Sequence, residues 1–473
     1  MLFNHTYRKR DPASTPPDAM AALSHLMPEM KDFWDRSLGD YAHAVYDVRY
    51  LAKSSDDREV ARARLRDLVV RVARRRGFGR DDAADAGAQL LSFPVLQTGP
   101  HCLLALEPDA FYTHLFCMMG LTSHARRWHI SYQCSTVKFS EKAKKGPGWL
   151  KLDGDAVNLF GMSRRDMDRL SVCGSADGLR FLLSAGTRSD SDSPSTARLR
   201  TLLPQRGFPS AAEAIEAGNQ ILWKHFFPPT VQILQFSDVD VADLVADHLE
   251  QPKSWLARCF VEDPRFSLAV LSFVDRLNGS AWGGWIRRTT DFFWGMREGQ
   301  LFVLRLKDGA LRSERAEADI AVPFSALPLA EALRSRIILP NMLIVFLVLS
   351  ILPGVRVLGG CRQTIYYPLM RAAFAAAMEK LGGNEPSLDL LRQDKRPGVW
   401  GHRVLRPNDG DPFADTMGAG GTVSPLIHRY MALALRQACG NLESFTADSS
   451  WAALSSELRA GLVDRQDAEW AWA

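Results

Sequence analysis

Apolar residues recur at roughly helical spacing through Met20–Tyr50 and again through Asp56–Arg76, so the first ninety residues are expected to be helical. The period changes near Leu90. The segment LLSFPVLQ is short and apolar, runs into Thr98-Gly99-Pro100-His101, and predicts a buried strand ending in a turn. Pro108 and Asp109 open a helix expected to run to about Arg127, with proline in its first turn and basic residues at its end. Trp128–Phe139, WHISYQCSTVKF, alternates and is rich in strand formers. Strand, turn, helix and strand in that order begin a βαβ unit, so the chain is expected to be α/β with a parallel sheet.

Downstream, Ser140–Gly148 is basic and Gly/Pro-rich and reads as a solvated loop carrying Lys142, Lys144 and Lys145. Met162–Leu170 predicts a short helix, and SDSDSPST, Ser189–Thr196, a linker. Ala211–Phe226 predicts a helix, TVQILQF a strand, and Val239–Glu250 a helix. Trp282-Gly283-Gly284-Trp285 marks a tight turn. Leu301–Leu306 and Leu311–Ala316 straddle Lys307-Asp308-Gly309-Ala310 as a hairpin. Tyr367–Lys380 and Pro425–Cys439 predict two further helices.

Ile337–Val355, IILPNMLIVFLVLSILPGV, carries no charge and has nearly the length of a membrane span. Pro340, Asn341, Ser350, Pro353 and Gly354 interrupt it, and Arg334, Arg336 and Arg356 flank it. Buried core feeding a strand at Val355–Leu358 is the better reading. The N-terminus lacks the apolar region of a secretory signal.

Composition narrows the picture. The 473 residues require more than one ordinary core, and 46% hydrophobic residues supply ample apolar material. The expected division is a helical segment over 1–90, a core over 91–310 with an inserted loop at 188–196, and a part over 311–473 that completes the core and adds helices. Lys and Arg total 58 against 54 Asp and Glu, a balance that argues against a dedicated nucleic-acid binder. The arginines of Asp56–Arg76 are interspersed with acids and read as a solvated helix face. Seven scattered cysteines, with no CxxC pair, fit reduced thiols, a cytoplasmic location and no structural metal. His101, Cys102, His114, Cys117, His124 and His129 crowd together at spacings that match no standard zinc site. There is no P-loop, GxSxG, HExxH or GxGxxG.

Two turns have the chemistry of a site. In the first, Gln97-Thr98-Gly99-Pro100-His101, a strand ends where ligands of open α/β sheets bind. Thr98 offers a hydroxyl, Gly99 close backbone approach, and His101 a donor to a phosphate gaining charge. In the second, Gly359-Gly360-Cys361-Arg362-Gln363, glycines again end an apolar strand. Arg362 suits a carboxylate or phosphate, and Gln363 and Tyr366 lie three apart on one face. Asp238 and Asp240 follow a strand and suit either a magnesium ion or a helix cap.

Together, PVLQTGPHCLLALEPDAFYTHLFCMMGLTSHA and LPNMLIVFLVLSILPGVRVLGGCRQTIYYPLM resemble two blocks of the bacillithiol-pathway cysteine ligases. In that family a strand ends in Thr-Gly, and a late Gly-Gly-x-x-Glu-x-x-Tyr follows a proline-initiated run. Here Gly359, Gly360, Gln363 and Tyr366 keep the late spacing, with glutamine in place of the glutamate and Pro100-His101 replacing the usual residues of the first turn. The family's long coiled coil has no counterpart.

The resemblance implies a Rossmann-like parallel sheet core with an N-terminal helical segment and additional α+β C-terminal elements. It also implies an ATP-dependent ligase or nucleotidyl-transfer enzyme, using ATP and Mg, that acts on an amino acid or similar small metabolite different from the family's own. His101 and Arg362 would be catalytic. Thr98, Gly99, Gly359 and Gly360 would hold the nucleotide, and Gln363 and Tyr366 the substrate. The alternatives are a non-catalytic binding or scaffolding partner in a biosynthetic complex, and a cofactor-free transferase with His101 as base. A homodimer is left open.

Overall fold

The computed structural model describes residues 19–48, 55–99, 101–141, 144–175, 178–185, 193–382, 391, 399–400, 411–439, 442, 445 and 448–463. Pro100, Lys142 and most of the 188–196 loop lie outside the described residues. The chain opens with helices α1 (Ala19–Leu26), α2 (Leu38–Tyr46), α3 (Asp56–Arg75) and α4 (Arg80–Ser92), followed by β1 (Val95–Gln97), α5 (Pro108–Ser123) and β2 (Trp128–Gln133). Next come β3 (Trp149–Leu152), β4 (Asp155–Asn158), α6 (Arg164–Arg169), β5 (Ser184–Ala185), α7 (Pro194–Leu202) and α8 (Ala211–Phe226). Then follow β6 (Gln232–Ser237), α9 (Asp238–Leu249), α10 (Pro264–Asn278), β7 (Phe293–Arg297), β8 (Gln300–Lys307), β9 (Ala310–Ser313) and β10 (Ala321–Pro323). The chain continues through α11 (Ala326–Arg334), β11 (Ile338–Pro340), α12 (Met342–Phe346), β12 (Arg356–Gly359), α13 (Gln363–Lys380) and β13 (Val399–Trp400). The final described helices are α14 (Pro412–Gly418), α15 (Ser424–Met431), α16 (Leu435–Ala438) and α17 (Ser449–Arg459).

The chain is mixed α/β around a parallel five-stranded sheet in the order β13-β12-β1-β2-β6. From central β1 the chain steps outward through β2 to β6, then returns to β12 on the other side of β1 and ends at β13. The order therefore reverses between β1 and β12. Register places Gln97 opposite both Leu358 and Ser131, and Ser131 opposite Gln235. A second sheet, β10-β9-β8-β7-β11, is antiparallel, and β3-β4-β5 form a third. The division expected at residue 310 falls inside the β8–β9 hairpin, whose turn places Asp308 and Gly309 at φ 51° and 70°.

One face of the parallel sheet packs against α5 and α8. The His129 ring, on β2, hydrogen-bonds His114 of α5 at 2.9 Å and lies 5.4 Å from Trp223 of α8. The other face meets α4, where Trp128 donates to Asp85 at 2.7 Å. Helix α3 lies against α9 through Arg71–Asp247, at 2.7 Å, and Arg75–Asp240, and Arg76 pairs with Glu216 of α8. Three of the eight arginines expected to face solvent, Arg71, Arg75 and Arg76, thus form an interhelical ion-pair seam. Local sequence shows the acids within α3 but not those that the fold brings from α8 and α9.

Ile337–Val355 forms β11, α12 and a π-helical turn at Leu347–Ile351 before β12. Leu339 and Ile344–Leu349 are almost wholly buried. No helix among the described residues is long and apolar enough to cross a membrane. The stretch is a core segment that links the two larger sheets. Helix propensity wins in Leu90–Ser92, which complete α4 and leave β1 only three residues long. The next strand stops at Gln133 rather than Phe139 because the following loop is tied down by Asp238. Part of the expected linker is ordered: Ser193 caps α7, with Pro194 at its first position. Trp282 and Trp285 are buried, so they offer no exposed surface. Helix α13 begins at Gln363, four residues before the expected start, and carries Pro368 inside it.

Candidate functional site

The turns after β1 and β12 lie side by side because these strands are direct parallel neighbours. Such a reversal of strand order leaves a crevice at the carboxyl edge, where the flanking connections leave on opposite sides of the sheet. Thr98 bridges it. Its backbone N–H donates to Leu358 O at 2.9 Å, and its hydroxyl lies 2.9 Å from Gln363 Oε1 and 3.2 Å from Leu358 O. Tyr366 donates its hydroxyl to the same Gln363 oxygen at 3.0 Å. The two turns singled out in the sequence therefore form one hydrogen-bonded unit.

Gln363 is its centre. The residue is 0% exposed at the first position of α13, and its Nε2 has no hydrogen-bond partner among the described residues. With either orientation of the amide, one end faces the two hydroxyls and the other is left unmatched. A buried polar group without a partner costs about 1–3 kcal/mol, so such a group is a place for a water, an ion or a ligand to bind. Gly359 makes room for this side chain. A Cβ there would lie 1.9 Å from Gln363 Oε1, so glycine is needed for the glutamine and not for close approach of a ligand. Burial holds the Tyr366 phenol well above its usual range, so it remains a donor at neutral pH.

Helix N-termini favour anions, but two of those at this edge already have them. Glu107 caps α5 by accepting from Asp109 N at 2.6 Å and Ala110 N at 3.3 Å. Asp240 caps α9 by accepting from Ser237 N at 3.0 Å. Helix α13 has no side-chain cap. Of these three helices, α13, which follows Gly359 and Gly360, is the one without a capping carboxylate.

Arg362 is placed otherwise than the sequence reading expected. Its guanidinium bonds Asp448 at 3.0 Å, Ser450 at 3.2 Å and the Gly284 carbonyl at 3.3 Å, and sits 5.0 Å from the centre of the Trp285 ring. Trp451 of α17 donates to Cys361 O at 2.8 Å. The arginine and tryptophan clamp α17 and the Trp282–Trp285 turn onto the second turn. These bonds give Arg362 a structural role. Arg362→Ala is expected to lower unfolding free energy by about 1–3 kcal/mol, read by urea denaturation, through loss of charge-assisted bonds.

His101 stands at the other end, with its side chain 45% exposed. Its backbone bridges to Cys134, and its Nδ1 contacts the Glu141 carboxylate. A carboxylate that fixes an imidazole is the arrangement of an oriented acid or base. Lys145 of the basic loop pairs with buried Asp109 at 2.9 Å and so is not simply solvated. Asp238 accepts from Ser135 N at 2.6 Å, Thr136 N at 2.7 Å and Tyr132 OH at 2.6 Å. The two aspartates act as caps and loop anchors. Among the described residues no three His, Cys, Asp or Glu side chains are grouped to hold a metal ion.

Sequence reasoning missed a polar band on one sheet face. Gln97, Ser131, Gln133 and Gln235 are buried, and the last three have side-chain polar atoms without partners among the described residues. Alternation and register put them on the same face. The signal was in the strands themselves, since WHISYQ and QILQF carry polar residues at inward positions. None of the seven cysteines forms a disulfide, and burial raises the Cys361 thiol to about 12, which removes it as a nucleophile at neutral pH. Neither a scan of models of known protein families nor a search of curated proteins returns a match to this chain.

Proposed function

We propose that the chain binds a phosphate-bearing nucleotide between β1 and β12 and acts as an ATP-dependent ligase or nucleotidyl-transfer enzyme on an amino acid or similar small metabolite. The strand order, numbered along the sheet as 3-2-1-4-5, supports a Rossmann-like reading of the core. One observation carries the ligand site: the buried, half-unmatched Gln363 amide at the uncapped N-terminus of α13. In this reading a phosphate accepts from Gln363 Nε2 and from the backbone at Gly360. Thr98 and Tyr366 hold the amide in place. His101, oriented by Glu141, serves proton transfer or stabilises the departing phosphoryl group. The ligase chemistry itself comes from the resemblance to the cysteine ligases.

The test is a thermal-shift series with ATP, ADP and AMP on the whole chain. A ligand that binds only the folded state at 100 times its Kd adds about 2.7 kcal/mol of stability. ATP and ADP are expected to raise the melting temperature by several degrees. AMP should raise it less. No shift at millimolar nucleotide contradicts the proposal. It would favour the non-catalytic partner, a reading supported by the Glu107 carboxylate at the α5 N-terminus, where phosphate lies in many nucleotide folds.

A further inference from the structure

A cavity of about 220 Å³ lies beside the crevice. Val270, Leu271, Val274, Ile286, Leu343 and Met370 supply apolar walls, and all six are buried. Cys134 and Thr136, just past the end of β2, form part of its polar side. Cys134 is also the residue whose backbone bridges to His101, so the cavity and the first turn share a wall. The second turn reaches it through α13. Gln363, Tyr366 and Met370 are spaced three and four apart, which puts them on one stripe of the helix. At 1.5 Å per residue, Met370 lies about 10 Å along the axis from Gln363.

The cavity lining carries a cation, Arg287, with no ion-pair partner among the described residues. Arg288 is bound to Asp291 at 2.7 Å and to Asp275 at 2.5 Å. Its neighbour Arg287 also lines the cavity, is exposed, and makes no ion pair with any described residue. An apolar chamber with one convergent charge selects an amphipathic ligand. A cavity of roughly 150 Å³ accepts benzene, so the space here suits a phenyl or branched alkyl group with little to spare.

We propose that this cavity holds the apolar body of a carboxylate substrate and that Arg287 binds its carboxylate. The inference rests on the crevice being a ligand site and names the class of its second ligand. Acetate is too small to fill the chamber. An amine of the same shape places a like charge against Arg287.

Calorimetric titration of the whole chain with 3-phenylpropionate, 3-phenylpropylamine and acetate tests the assignment. The acid is expected to bind at least about 10-fold more tightly than the amine or acetate. Arg287→Ala, at an exposed position, should weaken the acid about 10-fold and bind the amine more tightly than the wild type does, because the like charge is gone. Val274→Trp should fill the chamber and remove binding of both. Melting temperatures of the variants establish that they fold. Failure of the acid to bind wild-type protein, equal binding of acid and amine, or an unaltered Arg287→Ala variant each overturns the proposal. ATP is titrated into the same samples. Acid binding without ATP binding removes the nucleotide reading and keeps the cavity assignment; ATP binding without acid binding does the reverse.

Discussion

Gln363→Glu is expected to lower nucleotide affinity by at least about 100-fold at pH 8 while leaving the fold intact. The substitution is nearly isosteric, and a carboxylate still accepts from Thr98 and Tyr366 as the amide oxygen does. It replaces the unmatched Nε2 with a negatively charged oxygen. Two like charges about 4 Å apart repel by about 4 kcal/mol at an effective dielectric of 20, which corresponds to roughly three decades of affinity. Gln363→Ala removes the donor to the phosphate, along with the acceptor for Thr98 and Tyr366, but adds no charge, and should cost about 10- to 100-fold in affinity, the range of a bond to a charged group. The order glutamine, alanine, glutamate is therefore diagnostic. Burial raises a carboxyl pKa, so the glutamate variant should regain affinity on acidification. Isothermal titration with ADP at pH 8 and pH 6 reads both effects. Equal affinity in all three proteins would remove Gln363 from the site.

Acid should destabilise the protein steeply through three buried histidines. Burial lowers His114 to about 3 and His248 to about 4, and holds His129 well below its usual value. All three are neutral in the folded chain at pH 7. In the unfolded chain each titrates near 6.5. Below that value the unfolded state binds more protons, so the stability present above pH 6.5 is lost as pH falls toward about 4. Each histidine contributes up to about 1.4 kcal/mol per pH unit, or about 4 kcal/mol per unit for the three. Total stabilities of about 5–15 kcal/mol leave little margin, so cooperative unfolding between pH 4 and 5 is expected. Both ring nitrogens of His248 lack partners among the described residues. His248→Leu should therefore leave stability at pH 7 unchanged or higher and reduce the slope by about a third. Urea midpoints at pH 7, 6 and 5 measure it. An unchanged slope would show that His248 is not a buried neutral group.

The apolar stretch from Ile337 to Val355 was legible from its sequence. Prolines and flanking arginines exclude a continuous span, and glycines at its exit mark the end of a strand. The pairing of that strand with β1 was not legible, because parallel neighbours as far apart in sequence as Val95 and Arg356 leave no local pattern. The meeting of Thr98 with Gln363 follows from that pairing. The partner of Arg362 was not legible for the same reason. That partner, Asp448, is 86 residues away, and an arginine beside two glycines has the same local sequence whether it binds a phosphate or a distant aspartate. Glu107 was visible next to the helix-opening Pro108, and its capping role decides against phosphate at α5. The polar positions of β2 and β6 were equally visible, but strand propensity concealed what they imply for the interior.

The central claim is that an anion sits at the N-terminus of α13, between β1 and β12. Diffraction from crystals soaked in millimolar ADP tests it most directly. The account predicts a phosphate within hydrogen-bond distance of the Gln363 amide and the Gly360 backbone, with Thr98 and Tyr366 still bonded to the glutamine. ADP bound at the Glu107 end of α5, or a Gln363 amide that remains without a ligand at saturating nucleotide, would contradict it.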